Sequence, residues 1–361
     1  MNLRFHWMLP KGGEVSLHAP QSPREAARYR IESMSTASPA PRPDLVGWLH
    51  FAERAEAAGI DSVLISFSRY EPDPLVVACA LGQTAKKLKF IAAYRAGLMQ
   101  PTTFVQQLNT LSALVQGRIS LNLVVGSSTI EQHGYGDYLA HDDRYKRAEE
   151  FLAVCHSFWR REGDVDFNGN FYQLEQGKIL TPFVAADRTS PEIYVSGHSE
   201  RAEDLACTQG TCWLRVIEKP ETLRPIVERV RARGIRVCLR LQLICRPTYE
   251  EAVKTLHELL PANKDESTTT LKDDSQMYRE GANLASDKRW LSRSLWVGFV
   301  RNYGPVWTTL LGRPRELADA FIEYKKIGVD EFIISGWPEV DTVDVFGREV
   351  LPLVREAEAQ M

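Results

Sequence analysis

Eight short runs rich in apolar and β-branched residues, mostly separated by helical patterns, constrain this chain more than any other feature. They are 3–9 "LRFHWML", 61–66 "DSVLIS", 88–94 "LKFIAAY", 118–126 "RISLNLVVG", 192–197 "EIYVSG", 212–217 "CWLRVI", 236–245 "RVCLRLQLIC" and 331–337 "EFIISGW". Between most of them, apolar residues recur at helical spacing. "LVGWLHFAERAEAAG" ends at Gly59, and "PTTFVQQLNTLSALVQG" opens on Pro101 and stops at Gly117, the asymmetry expected of helix ends. Strands alternating with helices imply parallel pairing through crossovers, and eight such units close a (β/α)8 barrel. A doubly wound open sheet is the alternative. However, "LPKGGE" follows the first strand where a dinucleotide fold would place Gly-x-Gly-x-x-Gly. The expected fold is an α/β TIM barrel, one domain over residues 1–361.

Three segments exceed a minimal barrel: residues 11–42 after the first strand, 127–191 after the fourth and 248–313 after the seventh. All follow strands, so they project from the face where such barrels keep their active sites. The middle one holds one clear helix, "RYKRAEEFLAVCHSFWRR". The last includes "NKDESTTTLKDDSQMYREGANLASDKR", too charged for core and expected to be a mobile lid.

A net charge of -3 disfavours a general nucleic-acid or membrane-surface binder. No apolar run is long enough to span a bilayer, and "MNLRFHWMLPKGGE" lacks the features of a secretory signal, so a cytoplasmic protein is expected. The six cysteines form no Cys-x-x-Cys pair and read as small buried hydrophobes, and the histidines lack metal-ligand spacing. No metal is expected.

Polar residues gather at the C-terminal ends of the strands. In "IYVSGHSERAEDLA" a strand runs through Gly197, His198 and Ser199 into a helix. Ser199 suits an ordinary N-cap, and the same unpaired amides suit a phosphate. Arg240 stands inside the apolar "VCLRLQLIC", where a guanidinium needs either an internal carboxylate or an anionic ligand.

Several long motifs in order carry a resemblance: "FHWMLP", "GIDSVLISFSRYEPDPLVVA", "LKFIAAYRAGLMQPTTFVQQLNTLSALVQGRISLNLVVG", "HDDRYKRAEEF", "DFNGNFYQL", "EIYVSGHSERAEDLA", "SLWVGFVRNYG" and "FIISGWPEV". The chain resembles the bacterial-luciferase-like flavin monooxygenases, in the branch of alkanesulfonate monooxygenase and pyrimidine oxygenase. The resemblance implies reduced FMN as a diffusible co-substrate, O2, a separate NAD(P)H-dependent flavin reductase, and a homodimer or homotetramer. It places Ser199 with His198 at the FMN phosphate and Asn122 facing the flavin ring. Phe67, Ser68, Glu131, Arg144 and Tyr145 match other flavin-contacting positions. Arg240 and Arg301 match arginines near the reacting centre, where fixed guanidinium groups stabilise developing negative charge.

The substrate side departs from the sulfonate branch. Glu71 stands where that branch has Cys, Gln242 where it has His, Trp337 where it has Tyr, and Val216 falls near its strand-six Trp. Replacing His by Gln exchanges a group that titrates near neutrality for a hydrogen-bonding amide. "SLHAPQ" near the N-terminus resembles the pyrimidine-oxygenase relative. Alkanesulfonate desulfonation is the nearest single expectation. The alternatives are oxygenation of a nitrogen- or carbonyl-containing intermediate, and a non-catalytic flavin-binding relative.

Overall fold

The computed structural model describes residues 1–10, 43–69, 71–259, 275–287, 289–300, 304–336 and 341–361. Its strands, in chain order, are β1 (Arg4–Met8), β2 (Ser62–Ile65), β3 (Lys89–Arg95), β4 (Ile119–Val124), β5 (Val165–Asn168) and β6 (Gln173–Gly177). They continue with β7 (Ile193–Ser196), β8 (Cys212–Val216), β9 (Arg236–Cys245), β10 (Leu295–Trp296), β11 (Thr309–Gly312) and β12 (Glu331–Gly336). Strands β1, β2, β3, β4, β7, β8, β9 and β12 pair in parallel in that order. β12 returns to β1, so the sheet closes into the expected eight-stranded barrel.

Alternation along the strands sorts side chains into two sets. Phe5, Trp7, Leu121, Val195, Trp213, Leu239 and Phe332 join the main core under the helices. Leu64, Ile91, Tyr194, Cys212, Leu214, Cys238 and Ile333 fill the barrel interior. The helices begin and end where the sequence sets them. Asp73 accepts from the amides of Leu75 and Val76 to start Pro74–Gly82, and Thr248 forms a reciprocal capping pair with Glu251.

The N-terminal end of the interior is ionic. Glu331, fully buried as the first residue of β12, pairs with Arg4, with Arg236 at 2.9 Å and with His6 at 2.9 Å. Tyr194 donates its hydroxyl to the same carboxylate at 2.6 Å. Burial alone would raise the pKa of Glu331, yet His6, Arg236 and Arg4 hold it far below the usual carboxylate range.

Two expectations about the insertions need correction. Residues 127–191 hold more than one helix: Thr129–Gly134, His141–Arg160 and the antiparallel pair β5–β6. Residues 248–313 are not wholly polar cover. Within them Ala252, Leu256, Leu259, Trp296, Phe299 and Trp307 bury against Ile244 and Leu311, and β11 pairs with the far end of β9. The charge of the middle of this segment hid two apolar stretches, "LWVGFV" and "VWTTLLG", that supply this second core. The lid was expected within residues 248–313, of which 260–274, 288 and 301–303 lie outside the described residues. The described cysteines are all free, and among the described residues no helix is long and apolar enough to cross a membrane.

Glu331→Gln should cost up to about 3–5 kcal/mol, because it removes the fully buried carboxylate that His6, Arg4 and Arg236 share and leaves the two arginines only Glu192. Urea unfolding at neutral pH checks this, and a loss below 1 kcal/mol would show that the cluster is dispensable. The folded-state pKa is depressed, so the stabilisation is present above the unfolded value near 4.5 and fades as pH falls below it. The variant should therefore lose less stability than the parent between about pH 4.5 and pH 2.

Candidate active site

Three clusters of polar side chains occupy the C-terminal ends of the barrel strands. The first lies at β7 and β8. Ser196 donates to Asn122 Oδ1 at 2.6 Å, tying the top of β7 to β4. Gly197 follows with φ near +151°, and its carbonyl accepts from Trp213 Nε1 at 3.0 Å. A Cβ there would come within 2.6 Å of Ala202 Cβ and 2.9 Å of the Tyr145 hydroxyl. Ser199 is the N-cap of the helix Glu200–Gln209, accepting from Ala202 N at 3.2 Å, and its hydroxyl also bonds that of Tyr145.

His198, with a side chain 5% exposed, is held on both ring nitrogens. The Val216 amide donates to Nε2 at 3.0 Å, so the ring proton sits on Nδ1, facing Glu280 Oε2 at 3.1 Å. Glu280 belongs to the helix Gln276–Asp287, so this contact binds the long insertion to the turn after β7. Burial lowers the pKa of His198, and the Glu280 bond only partly opposes that. Arg215, paired with Glu218 and stacked over Trp213 at 5.2 Å, places a positive charge nearby.

The second cluster joins the ends of β2, β3 and the loop after β4. Glu131 accepts from the Arg69 amide at 3.0 Å and pairs with Arg95 at 3.4 Å. Arg95 donates to Gln132 Oε1 at 3.1 Å and lies over the rings of Phe67 and Tyr135 at 5.2 and 5.4 Å. Ser68 accepts the Glu71 amide through its carbonyl, in the loop leading to the helix Pro74–Gly82. Arg144 is buried, donating to the carbonyls of Val125 and Leu139, so it also fastens the loop after β4 to the helix it opens.

The third cluster sits at β9 and β12. Arg240 donates to the carbonyls of Leu241 (2.6 Å) and Ile333 (3.4 Å) and to Ser335 Oγ (2.6 Å). Those acceptors are neutral oxygens. Gln242, the next residue on the same face of β9, is 3% exposed and donates Nε2 to the Val306 carbonyl at 3.2 Å. Its Oε1 is buried and has no hydrogen-bond partner among the described residues.

The structure thus gathers Asn122, Tyr145, His198 and Ser199 in one cluster and Phe67, Ser68, Glu71 and Glu131 in another. Arg240 and Gln242 stand together in the third. Arg301 and Trp337 lie outside the described residues. Sequence reasoning missed Gln132, Tyr135, Ser196 and Ser335, and it placed Arg95 and Arg215 at strand C-termini without giving them a role. Arg95 closes the apolar run "FIAAY", whereas Arg240 was singled out for standing inside an apolar strand.

Residues 3–331 match the family described as luciferase-like monooxygenase. Among solved structures, the chain is similar to riboflavin lyase with modified FMN and substrate riboflavin, at 22% identity and TM-score 0.72, covering 99% of this chain and 92% of that one. It is also similar to the EDTA monooxygenase of Chelativorans sp. BNC1, at 19% identity and TM-score 0.72, covering 99% and 94%. A third is DmoA from Hyphomicrobium sulfonivorans, at 19% identity and TM-score 0.73, covering 99% and 89%. At these identities the structures bear on the fold.

Gly197→Ala should destabilise the protein by about 1–3 kcal/mol through backbone strain and the clash with Ala202 and Tyr145. Gly134→Ala, which meets no atom within 4 Å, is the control and should leave the melting temperature nearly unchanged. Equal effects at the two positions would contradict the geometry of the turn. For His198, nitrogen-resolved NMR should find a neutral ring protonated on Nδ1 that titrates below 6.5. With its folded pKa lowered, its stabilising contribution is present above 6.5 and is lost as pH falls.

Proposed function

This chain belongs to the luciferase-like monooxygenase family, and we propose that it is the oxygenating component of a two-component system. In this reading a separate NAD(P)H-dependent reductase supplies reduced FMN, and the substrate is a small organic molecule. The observation that carries the reading is the cationic and hydrogen-bonding group at the C-terminal ends of β9 and β12, where Arg240 bonds Ser335 and shares a face of its strand with the buried Gln242.

The residues fit an FMN. Gly197, where a Cβ would meet Ala202 and Tyr145, lets the turn pack against the Tyr145 hydroxyl, and the helix Glu200–Gln209 opens beside it with Ser199 at its cap. A phosphate there would draw on the unpaired amides of the first helical turn and on the hydroxyls of Ser199 and Tyr145. His198 shapes the same turn from its bonds to Val216 and Glu280. Asn122, already tied to Ser196, would present its amide to the ring system. Phe67, Ser68, Glu131 and Arg144 would make further contacts to the flavin, with Arg95 pairing to Glu131. Bound reduced FMN supplies the electrons that activate O2 for insertion of one oxygen atom into the substrate.

What the chain contributes is charge, order and dryness. Arg240 stays protonated throughout and opposes negative charge that develops during oxygenation, without exchanging protons. Its bonds to Ser335 and to two carbonyls fix the guanidinium in place, so little reorganisation is needed when charge appears. The sequence resemblance assigns Arg301 to the reacting centre, and Trp337 and Glu71 to the substrate side. Between an alkanesulfonate and a nitrogen- or carbonyl-containing substrate, the exchange of His for Gln at position 242 favours the second.

Ser199→Ala should weaken FMN binding about tenfold to a hundredfold, the worth of one charge-assisted hydrogen bond. Fluorescence titration of FMN checks this, and unchanged affinity in a folded variant would remove Ser199 from the phosphate site. Arg240→Ala should bind FMN but lose oxygenation by about a hundredfold or more, measured as product mass under a supply of reduced FMN. Partial rescue by Arg240→Lys would indicate charge, and none would indicate the planar fork. Normal turnover by the folded fraction of Arg240→Ala would contradict the assignment.

A further inference from the structure

At the C-terminal ends of β9 and β12, a buried acceptor with no partner among the described residues stands next to a serine hydroxyl whose oxygen already accepts from Arg240. Gln242 and Ser335 are register partners on the adjacent strands β9 and β12, and they are 3% and 1% exposed. The Val306 carbonyl can only accept, so it fixes the Gln242 amide with Nε2 toward itself and Oε1 turned away. That Oε1 is buried without a partner among the described residues. Ser335 Oγ accepts from Arg240 Nη2, which leaves the hydroxyl hydrogen of Ser335 to donate elsewhere. Buried polar atoms are nearly always satisfied, and an open pair of this kind is completed by a ligand or ordered water.

We propose that this pair reads a carboxamide-type group, a lactam or an unsubstituted or singly substituted amide, on the substrate. The substrate N–H donates to Gln242 Oε1 and its carbonyl oxygen accepts from the Ser335 hydroxyl. The positive charge of Arg240, bonded to Ser335, favours the electron-rich carbonyl on that side. A sulfonate offers only acceptors near neutral pH. Placed here, one of its oxygens would face Gln242 Oε1, acceptor against acceptor, which is a penalty built into the site against that class. An amide whose nitrogen carries no hydrogen would leave Gln242 Oε1 buried and unpaired, and sites built to hydrogen-bond a substrate group reject analogues that lack it. The proposal rests on the reading of this mouth as the oxygenation site, and it names the substrate class for it.

The test uses δ-valerolactam, N-methyl-δ-valerolactam and butane-1-sulfonate as probes against the full chain loaded with FMN. Ligand-observed NMR titrations give their dissociation constants without any turnover. δ-Valerolactam should bind at least about tenfold more tightly than its N-methyl derivative, with butane-1-sulfonate no better than the latter. Gln242→Met should erase the difference between the two lactams. Equal or tighter binding of the N-methyl lactam or the sulfonate, or no detectable lactam binding, overturns the proposal. If the Met variant does not fold, the wild-type comparison of the two lactams decides alone. FMN titration on the same samples keeps the two ideas apart. Failure to bind FMN overturns the monooxygenase reading, whereas bound FMN with no N–H preference overturns only the substrate class.

Discussion

The fully buried carboxylate of Glu331 gathers the charged groups at the base of the barrel, and Glu192 is a second partner for Arg4 and Arg236. Arg4, Arg236 and His6 converge on it from β1 and β9, and Tyr194 reaches it from β7. Taking any one of these charges out of water alone would be costly, and together they satisfy one another. Because β12 is the strand that closes the ring between β9 and β1, the cluster ties the last strand to the first at the point of closure. The apolar interior above it, with Ile333, Cys238 and Tyr194, then sets the register in which the remaining side chains rise toward the other end.

That register carries through to the mouth. Two residues beyond Cys238 comes Arg240, and two beyond that Gln242, all on one face of β9. Opposite them on β12, Ile333 is followed by Ser335. A slip of one residue would turn Arg240 and Gln242 into the helix layer and bring Leu239 and Leu241 inside. The chemistry at the top therefore depends on the pairing at the bottom. On the other side of the barrel, β4 and β7 bring Asn122 and Ser196 together by the same alternation, and Gly197 then lets the chain turn close to Tyr145.

The eight barrel strands were legible because their apolar runs are bounded by turn and cap residues, and their observed limits differ from the expected ones by a residue or two. Gly59 and Pro101 marked helix ends as read. The strands β10 and β11 were not legible, since they are short and lie beside a charged stretch that dominated the reading of that insertion. The ionic base was also invisible: Arg4, Arg236 and Glu331 are distant in sequence and each looks like an ordinary strand-end charge. At the mouth, sequence pattern singled out Arg240 and Gln242, yet the open acceptor on Gln242 depends on where the Val306 carbonyl falls. Arg95 shows the opposite case, a residue legible as a polar strand end whose bonds to Glu131 and Gln132 only the fold reveals.

The central claim is that one face of this barrel holds FMN with its phosphate at the turn 197–199 and its ring system beside Asn122, leaving Arg240, Gln242 and Ser335 to meet the substrate. A crystal structure of the full chain soaked with FMN tests it most directly. The account predicts phosphate density against Ser199 and Tyr145, and the ring next to Asn122 with one edge open toward Arg240. Density for FMN anywhere else on the protein, or a phosphate placed away from that turn, would contradict it.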